Sequence, residues 1–143
     1  MKTYLLLFFL SPFFVCSQSN SLNFGTNNTL DVVTWNLEWF PKNGNITIDS
    51  LKSIIEKIDA DVYALQEIDN IGSFNVLKNQ LLGYSGLLKN TSNLNLAFLY
   101  KNSITVDSAY SILDDYDYVF AGRTPFVIDL NFNGMNISLF NNH

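Results

Sequence analysis

Two short apolar runs, Leu30 to Leu37 and Val62 to Leu65, flank a segment in which Ile48, Leu51, Ile55 and Ile58 recur at helical spacing. The runs are rich in β-branched and aromatic residues and short enough to be strands, and the recurrence between them predicts one amphipathic helix. Thr47 is placed to cap that helix, and Asp49 carries a charge that a helix N-terminus favours. Strand, helix and strand then form a βαβ unit, whose strands lie parallel and whose crossover is right-handed. Each strand runs into a polar residue that an apolar core would not choose, Asn36 in the first and Glu67 in the second. In parallel neighbours both sit at the carboxyl end of the sheet, where ligands of α/β folds bind. A carboxylate there can hold a hard cation through oxygen, as Mg²⁺ requires.

Four segments carry a resemblance: Trp35-Asn36-Leu37-Glu38, Leu65-Gln66-Glu67-Ile68, Gly122-Arg123-Thr124-Pro125-Phe126 and Asn141-Asn142-His143. In this order and at these spacings the chain resembles the endonuclease/exonuclease/phosphatase family, which has the DNase I-like fold. The resemblance implies an α/β (α+β) fold, a two-sheet sandwich with outer helices, of which residues 30–143 are the N-terminal half, truncated at the C-terminus. In that family an Asp-x-Asn motif and a terminal Ser-Asp-His motif follow the fourth segment, and neither stands after it in this sequence, which holds one His in total. This half is expected to supply most of one sheet and its outer helices. The face meant for the other sheet would then stay in water, an unusual exposure that predicts a poorly soluble or loosely packed chain.

The resemblance also assigns roles. Glu67 is the expected principal ligand of Mg²⁺, with Mn²⁺ or Ca²⁺ as alternatives, and the plain alternative for the residue is an exposed carboxylate at a strand end. Asn36 is expected to help position the metal or a phosphate oxygen, against an Asn that merely ends a strand by bonding its own backbone. Glu38 is either a partner that orients those groups or a surface Glu. Arg123 is expected to reach the substrate phosphate, for which its fork of donors is suited; the alternative is a surface ion pair with Asp115 or Asp117. His143 is the expected catalytic imidazole that bonds the scissile phosphate or protonates the leaving oxygen. As a last residue it could instead be frayed. Trp35, Trp39 and Phe40 are read as packing residues of a buried strand rather than a base-stacking platform.

The function implied is metal-dependent phosphodiester hydrolysis, endonuclease-like, with nucleic acid the favoured substrate and no turnover by this chain alone. A sphingomyelinase or inositol-phosphate phosphatase is the alternative within the family, and a non-catalytic secreted binding domain the alternative outside it. A net charge of −5 argues against a general nucleic-acid binder, which would show a basic face. It does not argue against a metal-dependent nuclease, where the ion supplies positive charge at the phosphate.

Lys2, the apolar stretch Tyr4 to Val15, and the small residues after it read as a signal peptide over residues 1–17, with Val15 and Ser17 at the −3 and −1 positions. The stretch is too short for an ordinary membrane span, so a secreted or cell-envelope location without an integral span is expected. Lipidation at Cys16, the sole cysteine, is the lesser alternative, because Val15 before it is not the small residue such signals prefer. Residues 18–29 are polar and Asn-rich and read as a linker. Farther along, Phe74, Leu77 and Leu81 suggest a second helix, and strands are expected at Tyr84–Leu88, Leu94–Tyr100, Ile104–Ile112, Phe126–Phe132 and Ile137–Phe140. Asn133-Gly134 is a favoured hairpin turn that brings the last strand back antiparallel, with His143 at its end.

Overall fold

The structure is a computed structural model and describes residues 25–26 and 28–143. The signal segment and most of the linker lie outside the described residues. The elements in order are strand β1 (Val32–Phe40), helix α1 (Asn45–Ile58), strand β2 (Val62–Ile68), helix α2 (Ile71–Gln80), and strands β3 (Tyr84–Lys89), β4 (Asn95–Lys101), β5 (Thr105–Ser111), β6 (Phe126–Phe132) and β7 (Met135–Asn141). A 3-10 segment, Asp114–Phe120, joins β5 to β6. Among the described residues no helix is long and apolar enough to cross a membrane.

β1 and β2 pair in parallel around the α1 crossover, with Val32 opposite Val62 and Asn36 opposite Gln66. The helix buries Ile48, Leu51 and Ile55, three of the four residues whose spacing predicts it. Thr47 does not cap it. Gly44 takes the cap position at φ 60°, and Thr47, inside the first turn, accepts the Asn43 N–H at 3.0 Å. Asp49 likewise lies beyond the first turn, so the helix starts without an acidic residue there. Its far end closes on Asp59 in the left-handed region, whose N–H reaches Ile55 O.

The expectation that this stretch supplies most of one sheet is corrected. The seven strands divide into a four-stranded sheet, β1-β2-β4-β3, and a three-stranded antiparallel sheet, β5-β6-β7. Strand alternation sends each face of the larger sheet to a separate core. Tyr63, Leu65, Ala97 and Leu99 face the helices with Ile55, Phe74 and Leu77. Val62, Ala64, Leu96 and Phe98 face the smaller sheet with Phe126, Ile128 and Leu130. Buried on both faces, β2 and β4 are apolar throughout their centres, whereas β6 turns the polar Asp129 and Asn131 away from the core. The apolar face expected to stay in water is thus covered by the chain's own last three strands. The β6–β7 turn is the one anticipated, with Asn133 at φ 51° and Gly134 at φ 80°.

Candidate active site

The carboxyl ends of β1 and β2 are irregular in a way that decides where the polar residues go. From Asn36 to Phe40 on β1 the partner strand advances only from Gln66 to Ile68, and β2 slips against β4 between Leu65 and Ile68. Glu38, Trp39 and Glu67 take φ values of 47°, 61° and 61°, a region that non-glycine residues rarely occupy and that concentrates at functional sites. Unbroken alternation would put Glu67 on the helix-facing side with Tyr63 and Leu65. The bulge instead gives that place to Ile68, which is fully buried there, and releases the Glu67 carboxylate at the end of the sheet. The chain is tied down beyond the bulges, because Phe40 O accepts the N–H groups of both Asp69 and Asn70.

Three of the residues singled out by sequence meet at this end. Asn36 Nδ2 donates to Glu67 Oε1 at 2.9 Å, and His143 Nε2 lies 3.0 Å from the same oxygen. The Asn36 amide nitrogen and His143 Nε2 are 3.4 Å apart. With its proton on Nε2 the imidazole donates to Oε1 beside Asn36, and Oε2 takes part in neither bond. His143 is therefore not frayed; its side chain is 24% exposed and that of Glu67 14%. The Asn36 hydrogen bond holds the Glu67 carboxyl below its ordinary value of 4.5, aided by His143 and the Trp39 N–H and opposed by partial burial. The group is a carboxylate at neutral pH.

Two further residues frame the cluster; both stand in the segments that carry the resemblance, which assigns a role to neither. Gln66, 6% exposed, donates from Nε2 to Asn141 Oδ1 at 2.7 Å, and Asn141, 1% exposed, donates to Leu65 O and Ala97 O, both at 2.9 Å. The signal that could have found them is a polar amide beside Glu67, and another two residues before His143.

The other named residues stand apart. The Glu38 N–H donates to Asn36 Oδ1 at 2.9 Å, so its backbone, not its carboxylate, orients Asn36. The Glu38 carboxylate, 71% exposed, pairs with Lys42. Arg123 makes no ion pair with Asp115 or Asp117 and no hydrogen bond to Asn36, Glu67 or His143; its Nε is buried without a partner. Of the aromatic residues read as packing, Phe40 is fully buried and Trp35 packs against the helix-side core, but Trp39, turned outward by its left-handed backbone, is 54% exposed.

The donor set bears on whether a divalent ion fits. Among the described residues no three His, Cys, Asp or Glu side chains gather closely enough to hold a metal. Mg²⁺ does not need such a cage, since it keeps several waters and is commonly held by one or two carboxylates together with substrate phosphate. An ionised Glu67 whose Oε2 takes part in neither the Asn36 nor the His143 contact fits that open type of site. It does not fit an all-protein site.

Comparison with known proteins agrees with this architecture. Residues 33–135 match the model of the Endonuclease/Exonuclease/phosphatase family. No curated protein matches the chain. Among solved structures, D. rerio TDP2 complexed with single-strand DNA product superposes with a TM-score of 0.68 at 18% identity, over 78% of this chain and 44% of that one. An endonuclease/exonuclease/phosphatase family protein from Leptotrichia buccalis C-1013-b gives 0.63 at 19% identity, over 80% and 53%. ANGEL2, a 2',3'-cyclic phosphatase, gives 0.57 at 18% identity, over 80% and 40%. The chain thus spans about half the length of these structures.

Proposed function

Since the chain belongs to the endonuclease/exonuclease/phosphatase family, we propose that it carries one side of the active site of a secreted, divalent-metal-dependent phosphodiester hydrolase acting on nucleic acid. The observation that carries this reading is the convergence of Asn36 and His143 on one oxygen of an ionised Glu67 at the carboxyl ends of β1 and β2. Glu67 and Asn36 would hold Mg²⁺, with Mn²⁺ or Ca²⁺ as substitutes. When bound, the ion supplies charge stabilisation at a phosphoryl oxygen.

The chain's own residues do the rest that is assigned here. The contacts with Asn36 and His143 hold the Glu67 carboxyl below its ordinary value. His143, with its proton on Nε2, can give a hydrogen bond to a phosphate oxygen brought to the same place, and as the imidazolium can give a proton to the leaving oxygen. Arg123, with a donor lacking any partner, is the residue to bind phosphate if the Gly122–Thr124 turn reaches the substrate. One carboxylate, one amide and one imidazole are fewer groups than proton transfer on both sides of phosphorus needs. By itself the chain binds Mg²⁺ and turns over no phosphodiester.

Support for nucleic acid as substrate comes from the TDP2 neighbour, whose structure holds single-stranded DNA. Secretion rests on the sequence of residues 1–17 alone, and residues 30–143 are proposed as the N-terminal part of the catalytic domain. The test is calorimetric titration of Mg²⁺ and Mn²⁺ into the chain and its Glu67→Ala variant, with hydrolysis assayed on single-stranded DNA, sphingomyelin and an inositol phosphate. Binding abolished by Glu67→Ala supports the reading; binding that survives the substitution overturns the metal site. Mg²⁺-dependent turnover by the chain alone, lost in Glu67→Ala, overturns the claim that it supplies only one side.

A further inference from the structure

Glu67 and His143 meet although they belong to different sheets, and no ladder of backbone bonds joins β2 to β7. What spans the gap directly beneath them is a pair of buried side-chain amides. Gln66 precedes Glu67 and Asn141 lies two residues before His143. Gln66 Nε2 donates to Asn141 Oδ1 at 2.7 Å and also meets Thr34 Oγ1 at 3.1 Å and Ala64 O at 3.0 Å. Asn141 Nδ2 in turn donates to Leu65 O and Ala97 O, the last paired residues of β2 and β4 before the bulge breaks their ladder.

Two buried amides between the sheets carry a desolvation cost that apolar residues of the same shape would avoid. They also impose what apolar contacts cannot. A hydrogen bond between two amides fixes distance and direction, whereas the apolar contact of Phe98 with Phe126 is non-directional. We propose that Gln66 and Asn141 are positioning residues, a two-amide clasp between the sheets that sets His143 against Glu67. The inference rests on His143 and Glu67 acting together as in the proposed function, and its readout needs neither metal nor turnover.

The chain has one histidine, so its imidazole Cε1–H resonance is a single, unambiguous probe of this contact. In the full native chain, Glu67→Gln is expected to move that resonance. In an Asn141→Leu or Gln66→Met background the same substitution is expected to leave it in place, because the imidazole no longer rests on the carboxylate. Tyr63→Phe serves as the matched control. It removes the buried hydrogen bonds of Tyr63 with Ile55 O and the Ala60 N–H at the opposite end of β2, and the response is expected to persist there.

A full response in both clasp variants overturns the proposal, as does a response lost equally in Tyr63→Phe, which would make the effect one of general loosening. No response in the native background overturns it too, since there is then no contact to position. Should Asn141→Leu fail to fold, Gln66→Met carries the test, because it leaves the Asn141 bonds to Leu65 and Ala97 intact. Failure of Mg²⁺ to bind at Glu67 with the clasp response intact would sink the hydrolase reading and spare the clasp; the converse result would do the opposite.

Discussion

Asn36 donates to Glu67 Oε1 across the parallel β1–β2 pair at 2.9 Å, although the two are not register partners. Asn36 stands opposite Gln66, and only the bulge at Glu67 swings the next side chain back into reach. The same bulge that takes Glu67 off the core face therefore supplies the bond that lowers its carboxyl below the ordinary value. The left-handed backbone at Glu67 and the lowered ionisation of its carboxyl thus meet in one irregularity at the end of β2.

That bond makes a prediction about acid. A carboxyl whose folded value lies below its unfolded value adds stability above the unfolded value, and the contribution is lost as pH falls from there toward the folded value. For Glu67 the loss begins near 4.5, its ordinary value, and continues below it. Asn36→Ala removes the largest cause of the shift, so the fall in stability below 4.5 should become shallower while stability at neutral pH drops. Asp129, held below its ordinary 3.8 by the hydroxyls of Ser138 and Ser108, keeps part of the acid lability in the variant. Urea midpoints measured from neutrality into the acid range would decide it; profiles of the same shape in both proteins would refute the linkage.

Two glycines should respond to alanine for different reasons. At Gly134, φ is 80° and an added Cβ meets nothing within 4 Å, so the cost is purely conformational, about 1 kcal/mol. At Gly86 a Cβ would come within 2.9 Å of Leu99 Cδ2 and 3.1 Å of Phe74 Cζ, wedging β3 away from α2. Overpacking of that kind costs about 1–3 kcal/mol. Chemical denaturation should rank Gly86→Ala as the more damaging, and a larger effect at Gly134 would mean that the hairpin is packed against something in solution.

The βαβ unit, the second helix and the five later strands were legible because apolar spacing is set by backbone geometry, which propensity and burial both reinforce. Less legible were features that depend on partners distant in sequence. Thr47 reads as a cap, but Gly44, free to adopt φ 60°, starts the helix earlier. Trp39 reads as packing on a buried strand, and the bulge turns it outward. No local pattern marks strand Phe126–Phe132 as belonging to a different sheet from Val62–Ile68, since both present an apolar face. At the site, strand order alone puts Asn36 and Glu67 at one sheet end, and the bulge supplies the bond between them. Gln66 and Asn141 stand in the segments that carry the resemblance, but their bond was hidden because a buried amide's role is recognisable only once its partner on the other sheet is known.

The closing of the sandwich carries the last prediction. Phe98, on β4, is fully buried and sets its ring 5.5 Å from that of Phe126 on β6, tilted by 48°. Phe98→Ala should therefore cost about 3–5 kcal/mol, the range for removing an aromatic ring from a core that relaxes only in part. If the three-stranded sheet were loosely attached, leaving the apolar face in water as the sequence first suggests, the ring would already be wet and the substitution would cost little. Leu99→Ala, on the next residue but facing the helices, calibrates the measurement, with a cost of about 2–5 kcal/mol in either case. A large loss at both positions within one cooperative urea transition means that the two cores melt together. A large loss at Leu99 alone, with Phe98→Ala near zero, means that the smaller sheet does not close the sandwich in solution.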